Sequence, residues 1–145
     1  MISGKEIADN IRAERNRAKG AGLGGVLTAT GLGTIVEKGK EKVTVDGKEY
    51  LLEKPLGADV ALLGASIADE SGNLIYKGTT QNFNPTMATA ADLVIVEAEE
   101  VVKTGELAPE TIHTSGVYVD YIYKKFDLIG DSLSDEAYNQ KDSIT

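Results

Sequence analysis

Apolar and polar positions along the chain fall into a few recognisable periods, and the stretch Asn73 to Glu100, NLIYKGTTQNFNPTMATAADLVIVEAEE, organises the rest. Its Leu74–Tyr76 segment reads as a short strand. The residue before a proline is pushed out of the α region, so Asn84-Pro85 predicts a helix entrance. Thr86 to Ala91 is small and Ala-rich, suiting a short helix pressed against a flat surface. Leu93 to Val96 is an unbroken apolar run bounded by Asp92 and Glu97, the pattern of a strand buried on both faces in a parallel sheet. Asp59 to Leu63, DVALL, predicts a second such strand, and Val117 to Tyr123, VYVDYIY, a last one. Helix followed directly by buried strand is half of a βαβ unit, so the fold class is α/β, with an open, mostly parallel sheet.

A second period interrupts this plan. Lys42–Val45 and Lys48–Glu53 flank Asp46-Gly47, the strongest two-residue hairpin signal. That turn pairs Val45 with Lys48 and Val43 with Tyr50, which puts Val43, Val45, Tyr50 and Leu52 on one face. Lys42, Thr44, Glu49 and Leu51 then form a wetter face. Thr34 to Val36 is a candidate third strand. Ahead of the hairpin, Ser3-Gly4-Lys5-Glu6 has capping-box spacing. Ile7 and Ile11 follow at helical spacing, Asp9–Arg12 and Glu14–Arg17 are potential surface pairs, and Gly20 is the expected stop. The apolar stripe is narrow, so this helix must dock on something. A basic helix touching nucleic acid is the weaker reading, because one helix alone cannot dock as a helix-turn-helix.

The chain of 145 residues reads as a single domain, with a helix over 1–20, a core over 22–123 and a loosely held acidic tail over 124–145. A net charge of −8 argues against a nucleic-acid or anionic-membrane partner. The charge is uneven: residues 1–20 carry five basic and three acidic side chains, leaving −10 on the remainder. With no cysteine, thiolate metal sites and cysteine nucleophiles are excluded, and a cytoplasmic location is expected. No apolar run approaches a membrane span.

Candidate chemistry is sparse. Gly20–Thr34, GAGLGGVLTATGLGT, holds six glycines. Gly20, Gly22 and Gly25 fit G-x-G-x-x-G, but a helix precedes them where a dinucleotide fingerprint needs a strand. A loop lining some other ligand, or a structural glycine loop, are the two remaining readings. His113 is the only histidine, so no multi-histidine metal site exists, and a hydrogen-bonding role suits it. Glu70 before a glycine turn is the tempting carboxylate, though a surface turn explains it. Asn82 and Asn84, beside helix-start N–H groups, offer a donor and an acceptor to a ligand. The plainer alternative has Asn84 capping the helix and Asn82 bracing a turn.

The words GAGLGGVLTATGLGTIVEKGKEKVTVDGKEYLLEKPL, ADVALL, ADESGNLIYKGTTQNFNP, AADLVIVEAEEVV and IHTSGVYVDYI run collinearly from about Gly22 to Tyr123. Over that span the chain resembles the second half of the α subunit of bacterial short-chain-acid CoA-transferases, of the acetate or butyrate–acetoacetate type. The resemblance implies an open α/β sheet with an antiparallel excursion, and transfer of CoA from an acyl-CoA to a free carboxylate through a glutamyl thioester. It implies no cofactor beyond CoA as substrate. It places the nucleophilic glutamate on a β-type partner subunit, so no catalytic residue is assigned here. Gly24, Gly25, Thr28, Thr30, Asn82 and Asn84 are the expected substrate-binding positions. The family's glycine motif for CoA belongs to an amino-terminal half outside the resemblance, residues 5–19 stand outside it, and Ala29 and Ser115 replace family prolines. The expected partners are a β-type subunit, an acyl-CoA and a short-chain carboxylate, with room for a homo-oligomer. Activity is expected only within such a complex; a non-catalytic interaction module is the alternative.

Overall fold

The structure, a computed structural model, describes residues 4–125 and 138–139. Chain contacts divide into two compact units, with the boundary in sequence between Gly57 and Ala58. Each has its own sheet.

The first unit begins with helix α1 (Gly4–Gly20). Its stop is a Schellman arrangement: Leu23 N–H donates to Ala18 O at 2.8 Å, Gly22 N–H donates to Lys19 O at 3.1 Å, and Gly22 has φ +67°. The left-handed residue is therefore Gly22, two positions past the expected Gly20. Arg12 pairs with Asp9 at 3.1 Å and Arg17 with Glu14, as the spacing predicts. Exposed pairs of this kind contribute little. Ser3, the start of the expected capping box, lies outside the described residues.

Strands β1 (Val26–Thr28), β2 (Lys42–Val45) and β3 (Lys48–Glu53) form an antiparallel sheet in the order β1-β3-β2. The hairpin has the predicted register, Val45 opposite Lys48 and Val43 opposite Tyr50. Asp46 (φ 50°) and Gly47 (φ 75°) are both left-handed, as a type I′ turn requires. Two expectations fail here. The third strand is β1, not Thr34–Val36; Ile35–Glu37 is a 3₁₀ turn because the Thr34 side chain accepts from Val36 N–H. The faces are also exchanged: Leu51 and Glu53 are buried, whereas Val45 is 43% exposed. Pairing with β1 sets Leu51 opposite Thr28 and Glu53 opposite Val26, and the Gly31–Val36 loop approaches Leu51. Leu51 belongs to the inner face because the loop covers it.

The second unit is built on two long strands, β4 (Ala58–Asp69) and β6 (Ala91–Val102), paired in parallel from Ala58–Ala91 to Asp69–Val102. Strand β7 (Tyr121–Lys124) adds in parallel to β6, β5 (Leu74–Ile75) is antiparallel to β4, and β8 (Tyr138–Asn139) is antiparallel to β7. The order is β5-β4-β6-β7-β8. Helix α2 (Asn84–Ala88) lies two residues earlier than expected, with Pro85 in its first turn. Only the end of VYVDYIY is strand; Gly116–Tyr118 is a 3₁₀ turn capped by Ser115. The predicted helical turn near Ala108 to Ile112 appears as Pro109–Thr111. The expected tail lies outside the described residues, apart from Lys124, Lys125 and β8.

One face of this sheet carries the core. Ala61, Leu63 and Ala65 of β4, Val94, Val96 and Ala98 of β6 and Ile122 of β7 pack with Ala88 of α2, Tyr76 and Val119. Tyr76 and Ala88 come from the β4–β6 connection and Val119 from the β6–β7 connection. Both connections step the same way across the sheet, so the right-handed rule puts both on the same face. The other face is not buried as the apolar runs predict: Leu62 is 71% and Val60 46% exposed, and Leu93 and Ile95 are half-buried.

A buried carboxylate ties the ends together. Asp69, 2% exposed, accepts from Ser71 N–H and Asn73 N–H through Oδ1, and from Asn73 Nδ2 through Oδ2, each at 2.9 Å. Asn73 Oδ1 in turn accepts from Gly116 N–H at 2.9 Å. A Cβ at Gly116 would collide with the Ser71 carbonyl, so only glycine fits. Asp69→Ala, which strands three donors, is expected to cost roughly 2–3 kcal/mol in urea denaturation. Gly116→Ala is expected to lose stability through the backbone collision even though it removes no hydrogen bond.

Candidate functional site

The expected binding residues fall into two groups, one in each unit. Gly24, Gly25, Thr28 and Thr30 belong to the first. There α1 and β1 enclose a cleft of about 320 Å³, lined by Ile7, Asn10, Ile11 and Glu14 from the helix, Val26, Leu27, Thr28 and Thr30 opposite, and Glu53. The helix thus presents Ile7 and Ile11 at helical spacing, with Asn10 and Glu14 beside them, to a cleft that the sheet does not fully cover. Thr28 and Thr30 form its polar end, and Thr30 N–H donates to Thr28 Oγ1 at 3.1 Å. Gly25 is required by its surroundings: φ is +154°, and an added Cβ would lie 2.8 Å from Glu53 O and Leu52 Cδ1. Gly24 meets no such crowding, so its backbone is open to approach.

Glu53 was not among the expected residues. Its side chain is 5% exposed and paired with Lys40, with Arg15 Nε at 4.0 Å. Arg15 also donates to Lys54 O at 2.8 Å, and Leu56 N–H donates to Arg15 O at 3.1 Å, so the same arginine pins α1 to the end of β3. The signal in the sequence was Glu53 sharing a strand face with Leu51. Two cations hold the carboxylate in a structural role. Asp69 is equally committed, and Glu70, exposed, spends its N–H on Val102 O at 3.0 Å. His113 takes the predicted hydrogen-bonding part: Nδ1 accepts from Tyr76 N–H at 3.0 Å and its ring stacks on Tyr76. Burial pushes the Tyr76 phenol up, keeping it a neutral O–H beside Thr114 Oγ1 at 2.9 Å. Among the described residues no cluster of His, Asp or Glu could hold a metal ion, and no helix is long and apolar enough to cross a membrane.

In the second unit, Asn82 is exposed at the end of the Gly78–Gln81 3₁₀ turn, its N–H donating to Thr79 O at 3.3 Å. Asn84 does not cap α2. Its Nδ2 donates to Gly64 O at 2.9 Å and Thr80 O at 2.7 Å, sewing the turn to β4. Two carbonyl partners fix which end of the amide is nitrogen. The bracing role expected of Asn82 therefore belongs to Asn84. The same turn is held by Lys77 N–H donating to Ser66 Oγ at 3.0 Å.

Two outcomes follow. Asn84→Asp turns a carboxylate toward two carbonyls and is expected to cost about 2 kcal/mol or more, whereas Asn82→Asp leaves stability unchanged; chemical denaturation of both variants separates them. In the glycine loop, Gly33 N–H donates to Glu37 Oε2 at 2.7 Å and Lys42 Nζ lies 3.2 Å away, and these hold the carboxyl below its ordinary 4.5. The sign follows from that depression: loop anchoring is complete above pH 4.5 and is lost as pH falls through the lowered folded-state value. The Gly33 amide NMR shift should report that transition, and Glu37→Gln should abolish it.

The profile of the Coenzyme A transferase family matches residues 1–125, a span that includes α1, which the sequence resemblance left outside. The acetoacetyl-CoA:acetate/butyrate CoA transferase alpha subunit of Clostridium acetobutylicum is 62% identical over 112 residues, which is 77% of this chain and 51% of that protein. The acetate CoA-transferase subunit alpha of Escherichia coli is 50% identical over 126 residues, 84% of this chain and 57% of that protein. The chain thus spans about half the length of these curated relatives. The crystal structure of glutaconate coenzyme A-transferase from Acidaminococcus fermentans superposes with a TM-score of 0.71 at 18% identity, over 78% of this chain and 43% of that one, a likeness of fold. A parallel β4-β6-β7 sheet, an antiparallel excursion before it and a sequence match running through both units agree: the chain belongs to the Coenzyme A transferase family.

Proposed function

We propose that this chain works as an α-type component in CoA transfer between a short-chain acyl-CoA and a free carboxylate such as acetate, butyrate or acetoacetate. The observation that carries this reading is the 62% identity to a subunit named for that reaction. The chemistry fits a supporting role. The family resemblance implies a nucleophilic glutamate on a β-type subunit, and the two carboxylates that the described structure buries, Glu53 and Asp69, are held by structural partners. On this reading Gly24 and Gly25 let backbone approach the substrate. Thr28 and Thr30 offer hydroxyls at the cleft mouth, and the exposed Asn82 amide a donor and an acceptor. Asn84 contributes by position, since both its N–H groups are already used.

The test is reconstitution. The chain alone is expected to show no acetoacetyl-CoA:acetate exchange and no borohydride-trappable glutamyl-CoA thioester. Combined with the β subunit and the unmatched half of the α subunit from Clostridium acetobutylicum, exchange should appear, and Thr28→Val should lower it without unfolding the protein. A fully assembled mixture with no exchange would favour a binding module without catalysis, and a thioester trapped on the isolated chain would overturn the assignment of the nucleophile to the partner.

A further inference from the structure

The cleft between α1 and β1 has a charge pattern that selects what can enter it. Both walls belong to the first unit. Ile7 and Ile11 face it from the helix and Val26 and Leu27 from the strand, and Leu27 is still 39% exposed. Among the described residues, the charged groups that line it are Glu14 and Glu53, two carboxylates. Each already has its cation: Glu14 pairs with Arg17, and Glu53 with Lys40, with Arg15 Nε at 4.0 Å. No described lysine or arginine lines the cleft to receive an anion. A carboxylate or phosphate entering here gives up part of its hydration with no cation to replace it. Neutral polar groups are present instead. Thr28 accepts from Thr30 N–H, which leaves its own O–H to donate, and the exposed Asn10 amide offers a donor and an acceptor.

We infer that this cleft takes the uncharged pantetheine arm of an acyl-CoA. The choice of ligand rests on reading the chain as a component of CoA transfer. A volume of about 320 Å³ stands at the small end of ligand pockets, which run from about 300 to about 1,000 Å³, so the cleft accepts part of an acyl-CoA and not the whole. Charge decides which part. The nucleotide end carries phosphates and the acceptor acid a carboxylate, and both meet Glu14 and Glu53 without a free counter-charge. An acetyl or butyryl group is neutral but too small to fill the space, and it has nothing to match Asn10 or the Thr28 hydroxyl. The pantetheine arm carries geminal methyls, a hydroxyl and amides. Its methyls suit the wall of Ile7 and Ile11, and its amides meet hydroxyl and amide groups of complementary capacity.

Because the chain has no cysteine, a single introduced thiol can report the preference by disulfide exchange. Leu27→Cys lines the cleft and leaves its polar groups in place, and Val117→Cys, at a position 83% exposed and outside the lining, serves as control. Each variant is equilibrated with pantethine, hydroxyethyl disulfide, dipropyl disulfide and dithiodipropionate in one redox buffer, and the mixed disulfides are counted by intact mass. Leu27→Cys should favour the pantetheine adduct over the hydroxyethyl one by about tenfold, equivalent to about 1.4 kcal/mol, and should disfavour the carboxylate adduct. Val117→Cys should show neither preference. Ile11→Asp or Thr28→Val, each added to Leu27→Cys, should shrink the preference; Thr28→Val carries the test if circular dichroism shows that Ile11→Asp has lost its helix. A pantetheine preference no larger at Leu27→Cys than at Val117→Cys, or one that survives both changes, overturns the assignment. A preference for the carboxylate reagent gives the cleft to the acid, and one for the propyl reagent gives it to the acyl chain; either overturns it equally. The readout needs no transferase activity. A pantetheine preference beside a failed reconstitution counts against the transfer reading alone, and its absence beside successful exchange counts against the cleft assignment alone.

Discussion

The geometry of the second unit rests on the Asp69 carboxylate. It ends β4, and its two oxygens order the backbone of the following turn and the amide of Asn73. Asn73 passes the constraint on to Gly116, at the mouth of the connection to β7. One buried charge thus fixes where β5 turns back and where the last crossover begins. Desolvating a carboxylate is costly, and three charge-assisted bonds at 2.9 Å offset that cost only if none is lost. The absence of a side chain at Gly116 is part of the same arrangement, because the Ser71 carbonyl occupies the space a Cβ needs. The His113–Tyr76 contact and the Leu74–Thr114 bridge lie along the same seam.

Features governed by local rules were legible in the sequence. The Asp46-Gly47 turn and its register depend on two left-handed residues, and the α1 surface pairs depend on spacing alone. Features that depend on a distant covering segment were not. Leu51 and Glu53 lie on the face that the alternation assigns to water, and only the Gly31–Val36 loop and β1 make it the inner one. Thr34–Val36 is β-branched and apolar enough for a strand, but a hydroxyl cap and flanking glycines at positive φ turn it into a 3₁₀ corner. VYVDYIY alternates well, yet its first half is spent crossing the sheet edge, with Asp120 N–H donating to Val94 O and Asp120 Oδ2 accepting from Val94 N–H.

The candidate site shows the same division. Of the two glycines singled out from sequence, Gly25 is demanded by both φ and crowding, and Gly24 by neither. Chemical roles were harder, because an asparagine before a proline can cap, brace or bind. For Asn84 the decision comes from Gly64 O and Thr80 O, two acceptors brought together by tertiary structure. Glu53 was overlooked because a glutamate ending a strand normally reads as solvated. It is held instead by Lys40 and Arg15, side chains 13 and 38 positions away, and no local pattern announces such a triad.

Why, then, does the sequence predict two covered faces when the described fold covers one? Strand composition is set by the environment of the completed sheet, whereas connection handedness is set by the chain segment at hand. Val60 and Leu62 are among the most exposed large apolar side chains in the described structure, while Ala61 and Leu63, one residue on in each case, are buried. An isolated sheet under selection for one wet face would alternate, as antiparallel sheets do. This one retains apolar residues on both sides through DVALL and DLVIV and turns acidic only at Glu97 and Glu99. The same sheet that fixes the position of the Asn82–Asn84 turn therefore keeps, on its reverse, the composition of an interior surface.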